Sequence, residues 1–125
     1  MAKKSTHLKL TSADKDLFNR VKSQGPKAVC FFNNKGGVGK TTLLANLAAE
    51  LSINFGAKIL VVDADPQCNL TQYVLGEDRS IELYSQADPI SIHGVIKPLQ
   101  VGSGYRASLE VERSIEFNVD ILIGV

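Results

Sequence analysis

The chain has 125 residues, 44% of them hydrophobic, and a net charge of only +1 at neutral pH, which limits it to one domain and excludes an intrinsically disordered segment. A chain of this length buries roughly two-thirds of the surface that its unfolded form exposes. No run approaches the ~20 apolar residues of a membrane-spanning helix and the leader lacks a secretory apolar core, so a cytoplasmic protein without membrane contact is expected.

The near-neutral total hides an asymmetry. Residues 1–27 hold seven Lys/Arg against two Asp, and the remainder holds seven against eleven acids. A basic arm (1–27) ahead of an acidic body (28–125) favours a polyanion partner such as DNA, or serves as a solvated leader. Within the arm, Met1 to Leu10 is polar and expected to be mobile. Thr11 or Ser12 can cap a short helix over 13–22, with Asp14 and Asp16 in its first turn and Arg20 and Lys22 in its last. Gly25-Pro26 ends it.

Ala28-Val29-Cys30-Phe31-Phe32 is apolar throughout, the pattern of a strand buried on both faces of a parallel sheet, with Cys30 as a small core residue. Neither Cys30 nor Cys68 has disulfide or metal-ligand spacing. The loop that follows, Lys35-Gly36-Gly37-Val38-Gly39-Lys40-Thr41-Thr42, reads as a phosphate cradle. Its glycines let backbone N–H groups converge on phosphate oxygens at a helix N-terminus. Lys40 would reach the β- and γ-phosphates, and the Thr41 hydroxyl is placed to ligate Mg²⁺. Leu44, Leu47, Ala48, Leu51 and Phe55 recur at helical steps and predict one buried face of a helix ending near Gly56.

Lys58 to Asp63 predicts a second buried strand, so strand, helix and strand form a right-handed βαβ unit with the loop at its carboxyl end. There Asp63-Ala64-Asp65-Pro66-Gln67 presents two carboxylates one residue apart, the kind of oxygen acceptors that a metal ion and an attacking water require. Asn69 to Leu75 predicts a short helix stopped at Gly76, and Ser80 to Tyr84 begins another. His93 reads as a surface or structural residue, 110–116 as an exposed stretch, and Phe117 to Ile123 as a third strand.

The stretch KGGVGKTT resembles the deviant Walker A motif of the ParA/MinD family, and VVDADPQCN resembles that family's second signature. The resemblance implies a parallel-sheet P-loop NTPase fold of α/β/α layers, ending here after the third strand, so the chain is expected to be an N-terminal fragment. It implies ATP and Mg²⁺ as cofactors, and hydrolysis by in-line attack of water on the γ-phosphate. Lys35 would reach the nucleotide of the partner subunit, Asp65 would orient the water, and Asp63 would support the Mg²⁺ shell through water. Where the family commonly has Gly, this chain has Cys68. An ATP-dependent homodimer, non-specific DNA and a ParB-like adaptor are the implied partners in DNA partition or cargo positioning, with a nucleoid location. The alternative is a non-hydrolysing nucleotide-binding or interaction module.

Overall fold

The computed structural model describes residues 9–105 and 108–124; most of the expected mobile leader, residues 1–8, lies outside the described residues. Helix α1 (Ser12–Ser23) begins with a reciprocal capping box. The Thr11 hydroxyl accepts from Asp14 N at 3.2 Å, and Asp14 Oδ2 accepts from Thr11 N at 2.8 Å. No α1 residue is buried, and the helix reaches the rest of the chain through Phe18, whose ring centroid lies 5.2 Å from that of Phe55.

The expected strand over Ala28–Phe32 does not form. Val29 is 75% and Phe32 86% exposed, and Cys30 is exposed where a core position was expected. The reason is pairing. A ladder needs a neighbour's free N–H and C=O groups, and among the described residues no strand pairs with this segment. The expected βαβ unit is therefore absent, although its helix and second strand are both present.

Helix α2 (Lys40–Phe55) is stopped by Gly56 at φ 67°, whose N–H donates to the Ser52 carbonyl at 3.1 Å. Its buried line is Ala45, Ala48 and Ser52 rather than the leucines, and Leu47 is 42% exposed. Small side chains let the helix approach its neighbours closely. Ser52 clasps the turn before the last strand, its hydroxyl donating to the Asn118 carbonyl at 2.5 Å and accepting from Asn118 Nδ2 at 2.8 Å.

Strand β1 (Leu60–Val62) is shorter than expected and is an edge, with Val61 buried but Leu60 and Val62 about half exposed. After it come α3 (Asn69–Leu75), α4 (Glu77–Tyr84), α5 (Ile92–Gln100), β2 (Glu112–Ser114) and β3 (Val119–Leu122). α4 starts three residues ahead of expectation, because Glu77 and Asp78 suit the positive end of a helix.

The sheet order is β1-β3-β2. β1 runs parallel to β3 with Val61 opposite Ile121, while β2 runs antiparallel to β3 with Arg113 opposite Asp120. The sheet is thus mixed rather than wholly parallel, because the stretch expected to be exposed supplies an antiparallel edge. β3, flanked on both sides, carries the core. Val119, Ile121 and Ile123 are essentially inaccessible and pack with Ala45, Ala48, Val61, Leu70, Val74 and Leu83. Each large aliphatic side chain so buried contributes about 1.5–3 kcal/mol. Among the described residues no helix is long and apolar enough to cross a membrane.

Candidate functional site

The loop Asn33–Gly39 feeds directly into α2. Gly37 and Gly39 have φ of 70° and 83°, and Gly39 is the N-cap of α2. A left-handed residue at that point costs a side-chain-bearing residue about 1–2 kcal/mol. Glycine there turns the chain sharply enough for the loop amides and the helix N-terminus to face one space. Lys35 N donates to Asn33 Oδ1 at 2.8 Å, and Lys40 Nζ donates to the Lys35 carbonyl at 3.3 Å. With no side chain capping α2, its first N–H groups remain available to an anion.

That space is an open cavity of about 650 Å³. The loop lines it from Gly36 to Thr42, together with Asn33, Asn34, Asp65, Gln67 and Asn69. Gly36, Gly37, Val38, Gly39, Lys40, Thr41, Thr42 and Asp65 therefore come together as expected. Asp65 is exposed. Its Oδ1 accepts from Gln67 N at 2.9 Å, and its Oδ2 takes no hydrogen bond from the described residues. Asp65, with one carboxylate oxygen unengaged, thus lines the same space as a lysine and a threonine of the first turn of α2.

Two expected site residues stand apart from the cavity. Lys35 is exposed and does not line it. Asp63, expected beside the metal, is 1% exposed and turned into the protein, where its carboxylate accepts from Asp65 N at 3.2 Å, Thr71 N at 2.8 Å and the Thr71 hydroxyl at 2.6 Å. The spacing of the two aspartates put both at the strand end, where extended chain would turn residues two apart to one face. They part because the strand ends at Val62, Thr71 draws Asp63 inward, and Asp65 opens a turn closed by Cys68 N on its carbonyl at 2.9 Å. Four lining residues were not anticipated as site residues: Asn33, Asn34, Gln67 and Asn69. Asn33 and Asn34 directly precede the loop, and Gln67 and Asn69 sit in the same signature as Asp65, so adjacency was the available signal. Asn69 Nδ2 donates to Gln67 Oε1 at 3.1 Å, which couples two of them.

A glycine-rich loop turning into a helix N-terminus, with Lys and Thr in the first turn and a carboxylate across the cavity, defines the P-loop class of nucleotide-binding proteins. Residues 26–108 match the AAA domain family, and the chain belongs to it, among members of the ParA/MinD type. It is 38% identical over 74 residues to the chromosome-partitioning ATPase Soj of Thermus thermophilus, covering 58% of this chain and 28% of that protein. It is 37% identical over 89 residues to Soj of Treponema pallidum, covering 70% and 34%. The chain thus spans about a third of the length of these relatives. Among solved structures it is similar to protein DIP2308 from Corynebacterium diphtheriae (TM-score 0.66, 39% identity, 75% of this chain and 35% of that one). It is also similar to pNOB8 ParA bound to nonspecific DNA (TM-score 0.51, 30% identity, 74% and 31%). The fold is that of a ParA-type P-loop NTPase.

Proposed function

We propose that this chain binds ATP with Mg²⁺ in the Gly36–Thr42 cradle and acts in a partition-type ATPase that dimerises on ATP, hydrolyses it and works on DNA. The observation that carries the reading is the cavity that Lys40, Thr41 and Asp65 line together.

Each residue's contribution follows from its chemistry. Loop amides and the α2 N-terminus hold phosphate oxygens, and Lys40 adds a full charge to them once it leaves the Lys35 carbonyl. The Thr41 hydroxyl and one or two neighbouring oxygens suit Mg²⁺, which keeps several waters and binds through few protein ligands plus phosphate. When bound, Mg²⁺ neutralises charge on the phosphates. Asp65 accepts a proton or hydrogen bond from a water and orients it; positioning and charge stabilisation are most of what phosphoryl transfer asks of a protein.

Lys35 is exposed beside the cavity mouth, which leaves its side chain available to a nucleotide held by a second subunit. The names of the relatives, chromosome-partitioning ATPases and a ParA on nonspecific DNA, support DNA as the partner, and a stimulating ParB-like adaptor goes with that reading. The basic arm over residues 1–27 is the candidate for DNA contact.

Thermal melting with Mg·ATP tests the site. Ligand at 100 times its Kd stabilises by ~2.7 kcal/mol, which for a domain of this size raises Tm by about 10 °C. Lys40→Ala should abolish that rise, and undiminished protection would overturn the placement. Steady-state phosphate release that vanishes with Asp65→Ala supports the enzyme, whereas binding without turnover in the unsubstituted chain supports a non-hydrolysing module.

A further inference from the structure

The carboxylate at the strand end that does not reach the cavity is, among the described residues, the most fully engaged acidic side chain. Asp63 projects from the carboxyl end of β1, and both of its oxygens accept hydrogen bonds. Thr71, wholly inaccessible, supplies two of the three donors through its amide at 2.8 Å and its hydroxyl at 2.6 Å. The same hydroxyl accepts from Gly124 N at 3.1 Å, just beyond β3. Packing here is close. A Cβ on Gly124 would lie 2.9 Å from Cys68 Sγ and 3.1 Å from the Asp63 carboxyl carbon.

These contacts bind three parts of the fold around the loop that carries Asp65. Helix α3 begins at a left-handed Cys68 (φ 55°) and has no side-chain cap of its own. Thr71 N is one of the first-turn amides that a helix leaves without an internal partner, and Asp63, reaching across the loop from the strand, satisfies it. A carboxylate is suited to that end of a helix. It is also the side chain that presents acceptors alone; an amide would turn an N–H toward one of three converging donors.

We infer that the Asp63–Thr71 pair is a latch that positions Asp65, with Thr71 and Asp63 acting as positioning residues rather than as support for the metal. The loop between β1 and α3 is held at both ends, by Asp63 at its start and by Thr71 at its close. Asp65 stands between them, its N–H donating to Asp63 while the residue lines the cavity. This inference rests on the proposed nucleotide site for its rate effect, but the latch itself is observable without nucleotide.

The test uses the full chain with Asp63→Asn, Thr71→Val, Thr71→Ser and the Asp63→Asn/Thr71→Val pair. Amide hydrogen exchange read by NMR, without nucleotide, should show Thr71 and Asp65 losing protection together in Asp63→Asn and in Thr71→Val, and regaining it in Thr71→Ser. Independent behaviour of the two amides overturns the latch, and the unsubstituted chain alone overturns it if the Thr71 amide is unprotected. With Mg·ATP, Thr71→Val and Asp63→Asn should each lower the saturated phosphate-release rate on the order of 10- to 100-fold. Magnesium half-saturation should stay unchanged, Thr71→Ser should recover the rate, and the double variant should be no worse than either single one. If instead Asp63→Asn raises magnesium half-saturation by about 10- to 100-fold and Thr71→Val does not, Asp63 supports the metal and the inference fails. A wild-type chain that gives no heat with Mg·ATP sinks the proposed function, and the exchange result then decides the latch by itself.

Discussion

Lys40 Nζ donates a hydrogen bond to the main-chain carbonyl of Lys35 at 3.3 Å, so the lysine of the helix start ties the glycine loop across its own mouth. The contact keeps the loop curved and holds the ammonium at the cavity, while Lys35 contributes its carbonyl to the contact and is itself exposed. The two lysines of the motif thus differ in place: Lys40 lines the cavity and Lys35, exposed, does not.

From that separation, Lys35→Ala should keep the rise in Tm that Mg·ATP gives the wild type and lose any ATP-dependent doubling of mass in light scattering. A variant that dimerises normally with ATP would end the cross-subunit role of Lys35.

Two of the loop glycines differ in what they require of the chain. Gly39 is left-handed at φ 83°, and no atom lies within 4 Å of where an alanine methyl would sit, so its cost on substitution is conformational and not steric. Gly39→Ala should lower the unfolding free energy in urea by about 1–2 kcal/mol. Gly36 has no positive φ and equally open space, so Gly36→Ala should cost far less in the same titration. Equal losses would contradict the backbone conformation of the loop.

The capping box of α1 carries a pH dependence of known sign. Hydrogen bonds from the Thr11 side chain, and then its backbone, hold the Asp14 carboxyl below its ordinary 3.8. A folded-state pKa that is lowered contributes stability that is complete above the unfolded value and lost as pH falls through the folded one. Cα chemical shifts of residues 12–15 should therefore stay helical from neutrality down to the ordinary carboxylate range and move toward coil below it. In Thr11→Ala the same movement should begin at higher pH, and coincident profiles would remove the box as its cause.

Thiol labelling separates the two cysteines. Cys30 is exposed and Cys68 is buried beside Asp63 and Gly124, so the native chain should take up one equivalent of an aromatic disulfide reagent rapidly and the second only on unfolding. Two fast equivalents would mean that the Asp65 loop opens readily. Nearby, burial and then the hydrogen bond with Cys68 push the Tyr84 phenol up to about 12; Cys68→Ala should lower that value in an ultraviolet titration.

Local signals in the amino-acid order determined the cradle and the helices. A Gly-Lys-Thr step at a helix start, a capping threonine three residues ahead of an aspartate, and a glycine after an apolar helix are each decided by neighbours within a turn of chain, so Gly39, Thr11 and Gly56 stand where their residue types require. Tertiary structure alone decided what depends on distant partners. Ala28–Phe32 has every residue a buried strand wants and stays unpaired, because a ladder is a property of two segments. The stretch around Arg113 looks solvent-bound by composition, yet it becomes a strand because β3 offers it an edge. The two aspartates look alike one residue apart. Only the approach of Thr71 and Gly124, 8 and 61 positions further along, turns Asp63 inward as a brace and leaves Asp65 facing the cavity.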